Sequence, residues 1–300
     1  MAATKKFRAI WDNRFFDAAA LTASSQVSTL PVQNLQDPMR ELVWRSEGLT
    51  NISVTANLGT PSDPDDLRPP VQALALLNHN LTADAKVRLQ ASLSPEFCSL
   101  LLDEEFDAWG YIAGAGEGGA GGPFLAGGKL ANAHRSFYTP SPLRVVYPVK
   151  NDLEAKGYWK IAFTDPGNPD GYIQMGRIFL TFYDDFKSDW AYPWFLGGKD
   201  ESEIIYNPSG VPWTDPKAFR RCLRFVWNER FSDEDKYWRF FFMVMNMGRK
   251  QDWIIDPISD RVSARHFTTL YGRFREISEE MLRQWAKGFS DLEIIFEESL

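Results

Sequence analysis

From residue 50 to residue 58 the chain alternates. Ile52, Val54, Ala56 and Leu58 are apolar, and Ser53, Thr55 and Asn57 between them are polar. A two-residue period puts one set on a buried face and the other toward water, so it predicts a half-buried strand. Residues 71–77 are apolar except for Gln72, which predicts a strand covered on both faces. Residues 85–91 alternate again, with Ala85, Val87, Leu89 and Ala91 against Lys86, Arg88 and Gln90. Prolines and aspartates at 61–66, with Pro69 and Pro70, exclude regular structure between the first two. Further strands are expected at 158–164 and 172–180, joined by the Asp, Asn, Pro and Gly of 165–171. Short strands separated by turns indicate an antiparallel sandwich.

The pattern changes twice. Residues 114–128 hold eight glycines and no periodicity, so about 103–142 reads as an insertion between strands of the sandwich. Residues 184–198, rich in Trp, Pro and Gly, read as a crossing segment and domain boundary. Beyond it strands are expected at 219–225, 253–255, 268–274 and 292–296. A helix is expected at 232–247, capped by Ser232, with Trp238, Phe241, Phe242 and Met245 on its buried face. The chain is therefore expected to be mainly β. Residues 1–185 form a β-sandwich (jelly roll) carrying the Gly-rich insertion, and 186–300 form a smaller α+β domain.

With 300 residues, 44% of them hydrophobic, the chain is long enough for one or two cored domains. A net charge of -7 argues against nucleic-acid binding, which relies on clustered Lys and Arg. No apolar run approaches the ~20 residues of a membrane span, and the start of the chain has no secretory pattern. Cys98 and Cys222, both in apolar-aromatic surroundings, read as buried free thiols.

Candidate chemistry is sparse. Residues 114–119 fit a GxGxxG string, but the glycines and Pro123 that follow deny it the helix that would meet a pyrophosphate. His79, His134 and His266 share no metal-type spacing, and no Gly-x-Ser-x-Gly elbow exists. Asp165, Asn168 and Asp170 with Gly171 offer oxygen ligands, though a hairpin loop of Asx and Gly turns uses the same residues. No catalytic, cofactor or metal residues are nominated, and the chain is expected not to be an enzyme. Trp44-Arg45 and Asn78-His79-Asn80 sit at strand ends, where Asn and His bind a sugar hydroxyl or satisfy loop backbone groups. Trp109, Tyr111, Phe124 and Tyr138 flank or lie in the insertion as rings able to anchor in a partner.

The ordered series 17–25, 31–37, Trp44-Arg45-Ser46, Asn57-Leu58-Gly59 and 73–81, with 158–161 and 171–179, resembles the discoidin-like, galactose-binding-like jelly rolls of bacteriophage tail proteins. The likeness covers roughly residues 10–182. The second half is similar to the tail-tube-type domain of distal tail and hub proteins. The resemblance implies a non-enzymatic ring subunit near the tail tip of a virion, made in the host bacterial cytoplasm. Six copies are expected, with three as the alternative, beside tail-tube, hub and tape-measure proteins. Its alternative implication is a carbohydrate-binding module contacting host glycan.

Overall fold

The computed structural model describes residues 6–39, 41–59, 68–109, 143–148, 152–187, 191–200, 202–206, 212–215, 219–228, 243, 250–259, 268–277 and 291–299. They divide into two compact units. Described residues 12–183 form one, and 6–11 with those from 184 onward form the other.

The chain begins in the second unit. Strand β1 (Lys6–Ile10) pairs antiparallel with residues 184–187 and 254–256, beyond the sandwich in sequence, and not with the sandwich. This corrects the expected assignment of 1–185 to one domain. Phe7, Ala9 and Ile10 are fully buried, and the long-range pairing that buries them is invisible to local periodicity.

The sandwich unit follows. After the short helix α1 (Arg14–Asp17) come β2 (Ala20–Ala23), β3 (Trp44–Arg45), β4 (Ile52–Gly59), β5 (Ala73–Leu77), β6 (Lys86–Ser92) and β7 (Leu100–Asp107). Then come β8 (Leu143–Val146), β9 (Gly157–Thr164), β10 (Gln174–Met175) and β11 (Arg177–Thr181). A five-stranded sheet has the order β2-β4-β9-β6-β7, and a three-stranded sheet the order β11-β5-β8, with β3 and β10 as a separate pair. Every pairing is antiparallel. This is a β-sandwich of jelly-roll type, its neighbours linked by crossovers.

Burial follows the sequence pattern closely. β4 and β9 alternate buried and half-exposed residues along their length. Inward side chains such as Val54, Ile161 and Leu89 meet Leu74, Leu76, Ile178 and Leu180 of the other sheet in one core. β5 and β11 are buried at every residue, which for β5 is what the apolar run at 71–77, interrupted only by Gln72, predicts. Gly157 opens β9 at φ +71, where a Cβ would lie 2.6 Å from the Ser92 carbonyl oxygen, so only glycine fits that close approach.

The expected insertion start at 103 is corrected. β7 runs through it to Asp107, because Leu102 points into the core while Asp103 and Asp107 pair with Arg88 and Lys86 across the hairpin. Residues 110–142, with Tyr111, Phe124 and Tyr138, lie outside the described residues, as does all but Met243 of the expected helix 232–247.

The remaining strands are β12 (Asp184–Lys187), β13 (Ala191–Asp200), β14 (Glu203–Tyr206), β15 (Pro212–Asp215), β16 (Phe219–Asn228), β17 (Trp253–Asp256), β18 (Leu270–Ile277) and β19 (Asp291–Glu298). Seven of the second unit's strands form one sheet in the order β12-β1-β17-β18-β19-β16-β13. The Trp/Pro/Gly-rich crossing segment expected at 184–198 is thus largely strand: ladder pairing with β1 and β16 overrides its weak local propensity. Aromatic side chains hold the sheet. Trp11 stacks on Trp253 at 5.6 Å, Trp253 meets Phe274 edge-on at 5.0 Å, and Phe274 meets Phe296 at 5.1 Å. Arg221 binds the buried Glu298 through Nε at 2.9 Å and also through Nη2.

Candidate functional site

The sequence nominates two strand ends, and the structure joins part of each. β3 and β10 pair as Arg45 opposite Gln174 and Trp44 opposite Met175. The side chains therefore alternate. Trp44 points inward, fully buried, and meets Phe163 at 6.1 Å. Arg45 points outward and remains half-buried. Its guanidinium lies 4.1 Å over the ring of Tyr172 and donates to Gln174 Oε1 from Nε at 3.2 Å and Nη2 at 2.7 Å. A guanidinium has five N–H donors, so three remain for another partner, and the two bonds to Gln174 hold the group in place over the ring.

Asn80 belongs to the same strand-end cluster. Its amide nitrogen donates to Asp170 Oδ2 at 2.8 Å and to the Tyr172 carbonyl at 2.9 Å, and its amide oxygen accepts from the Gln174 backbone N–H at 2.8 Å. Asn80 therefore ties the 165–174 loop to the end of β5 and is not available to a ligand through its side-chain amide. Asn78 stands half-exposed at φ 52, a left-handed position that Asn tolerates.

The loop 165–171 is hydrogen-bonded internally. Asp165 is buried and accepts from the Thr82 backbone N–H at 2.8 Å, from the Thr82 hydroxyl at 2.5 Å and from Asn168 Nδ2 at 3.0 Å. Asn168 also donates to the Asn80 carbonyl at 3.1 Å, and Gly171 closes the turn at φ 76. These are the Asx and Gly turns of a hairpin loop. Among the described residues no group of three His, Cys, Asp or Glu is placed to hold a metal ion.

Two further nominations are corrected. His79 is 2% exposed and Trp109 3% exposed, their rings edge-to-face at 5.1 Å, and Trp109 donates to the Leu81 carbonyl at 2.7 Å. Both face the sandwich interior, so neither is an exposed ring for a partner or a sugar. Pairing of β6 with β7 carries residue 109 back over the core, a consequence of register that composition does not reveal. Cys98 is exposed at the β6–β7 turn, against the expected burial, while Cys222 is intermediate; both are free thiols.

Tyr172 and Gln174 escaped the sequence reading. They fall at the start of an expected strand, and only the β3–β10 register places them beside Arg45. The resulting surface carries donors from Arg45 and the acceptor oxygens of the exposed Asp170. A group with both signs of hydrogen-bonding capacity suits a hydroxylated ligand, whose OH groups donate and accept together.

No family model and no curated protein matches this chain. Among solved structures it is similar to the lectin domain of lectinolysin complexed with Lewis B antigen (11% identity, 57% of this chain and 97% of that one, TM-score 0.35). It is likewise similar to a family 32 carbohydrate-binding module of C. perfringens NanJ in complex with galactose (12%, 59% and 99%, TM-score 0.34). A third is reduced XRCC1 bound to the DNA polymerase beta catalytic domain (17%, 53% and 91%, TM-score 0.33). At these identities and scores, a ligand is not transferable, and function has to be read from the residues themselves. No described helix is long and apolar enough to cross a membrane.

Proposed function

We propose that the sandwich is a non-enzymatic carbohydrate-binding module, and that its sugar contacts the strand-end cluster of Arg45, Asp170, Tyr172 and Gln174. The observation that carries this reading is the Arg45 guanidinium stacked 4.1 Å over Tyr172 with three N–H groups unspent. A fork held in one plane loses little entropy on binding a pair of vicinal hydroxyls. Its mixture of donors and acceptors suits a neutral sugar. The test is a titration of the full chain with a panel of neutral mono- and disaccharides. Arg45→Ala is expected to remove any saturable binding seen with the native chain. Binding that survives the substitution would place the sugar elsewhere.

A second reading is favoured by a separate observation in the second unit. Ile204, Ile205 and Tyr206 on the β14–β15 ribbon are 62%, 45% and 67% exposed. A two-stranded ribbon with apolar groups in water is marginal alone and gains stability by association. This supports the structural role of a ring subunit at a phage tail tip, made in the host cytoplasm and finishing in the virion. Copy number measured on purified protein tests it, with six expected and a concentration-independent monomer contradicting it. The two readings are compatible: a ring subunit can carry a glycan-binding sandwich.

A further inference from the structure

The outer face of the five-stranded sheet bears Lys86 and Arg88 on β6 and Lys160 on the central strand β9. The first two are neutralised across the hairpin: Lys86 Nζ lies 2.5 Å from Asp107 Oδ1, and Arg88 donates to both oxygens of Asp103 at 2.6 Å. Lys160 differs. It stands between Thr55 and Gln90 in the register, and Gln90 itself leans to Asp103, so the acidic row of β7 is one strand away. Among the described residues no carboxylate lies within ion-pair distance of its ammonium, which stands 5.8 Å from the centre of the Phe97 ring. Phe97 reaches it from the β6–β7 turn at φ 54, a conformation a bulky side chain seldom adopts.

Beside Lys160 the face opens into a cavity of about 380 Å³ at the start of β4 and the end of β9. Asn51, Ser53 and Thr164 contribute polar groups to its wall, and Leu49 and Pro166 apolar ones. Lys160 is the only charged residue of the lining. The rim is held in place: the Ser24 hydroxyl donates to the Asn51 carbonyl at 2.8 Å and accepts the Ser53 backbone N–H at 2.8 Å. A single uncompensated cation, hydroxyl-bearing side chains and a shallow apolar floor describe complementarity to a ring that is hydroxylated and negatively charged.

We propose that Lys160 and this cavity form a second binding site, on the outer face of the five-stranded sheet, for a carboxylated sugar such as a uronic acid. The site shares no residue with the Arg45 cluster, so it stands or falls separately from the neutral-sugar reading. The ammonium pairs with the carboxylate, Ser53 and Thr164 meet ring hydroxyls, and Leu49 and Pro166 meet the ring's C–H face.

The experiment is calorimetric titration of the full chain at low ionic strength with galacturonate oligosaccharide. Native protein, Lys160→Met, Lys160→Arg and Arg45→Ala are compared, with thermal unfolding confirming that each variant folds. Saturable binding by the native chain is expected, weakened at least ~10-fold by Lys160→Met, kept within ~3-fold by Lys160→Arg and unchanged by Arg45→Ala; a tenfold loss corresponds to ~1.4 kcal/mol. Neutral galactose oligosaccharide is expected to show no dependence on Lys160. No saturable binding, or equal binding by Lys160→Met, overturns the site. Loss on Arg45→Ala alone moves the acid to the other cluster. Equal affinity for a 6-sulfated galactose overturns the choice of carboxylate over sulfate.

Discussion

Trp109 looked from its position like a ring for a partner, yet it fills its own domain. Truncating it to Ala deletes a buried indole and its hydrogen bond to the Leu81 carbonyl. A loss of ~3–5 kcal/mol is expected for a buried Trp, read as a shift of the denaturant midpoint, with no effect on assembly in whatever fraction remains folded. Asn80 is a different case: its side chain makes three hydrogen bonds that pin the 165–174 loop. Asn80→Ala leaves the backbone N–H of Gln174 and the carbonyl of Tyr172 without those partners, at a cost of ~1–3 kcal/mol, and hydrogen exchange is expected to quicken in the loop first. Asp17 supplies the pH dependence. Burial pushes its carboxyl up from 3.8 to about 6, against the pull of Arg177 at 3.0 Å. The folded form therefore holds the proton more tightly than the unfolded chain does. Its contribution is complete below 3.8 and is lost as pH rises through about 6, so stability from this group falls across that window. Denaturant midpoints measured from pH 4 to 7 are expected to show that decline in the native chain and a flatter profile in Asp17→Asn.

Elements differed in how much of them was legible. β4 could be read residue by residue, since one face meets the core and the other meets water, and the period of two follows from that alone. β5 announced itself as a continuous apolar run because both its faces are covered. β1 and β12 could not be read. Each is too short to declare itself, and each is paired with a strand of its own unit that lies more than 170 residues away in sequence. The same holds at the candidate site. Arg45 was legible as a polar residue at a strand end, whereas Tyr172 and Gln174 became its neighbours only through pairing of β3 with β10. The β14–β15 ribbon yields a prediction at this scale. Its four β14 residues are all exposed, so Ile204→Lys costs the fold little. Sedimentation velocity of that variant is expected to show loss of association, with an unchanged melting temperature.

At the scale of the whole molecule, the described residues form a seven-stranded antiparallel sheet unit into whose sequence the sandwich is inserted between β1 and β12. An insertion of that kind leaves the host unit's core dependent on chain on both sides of the guest, so removing residues 1–11 is expected to damage the second unit and spare the sandwich. The sandwich carries the half-buried Arg45–Tyr172 pair among polar partners and no metal-binding cluster among the described residues. The claim that this unit binds carbohydrate is tested most directly by a glycan array probed with the full chain and with Arg45→Ala in parallel. The account predicts a coherent set of bound glycans, the neutral ones among them lost in the variant. No glycan bound above background by the native chain, with millimolar free sugar equally silent in titration, would contradict it.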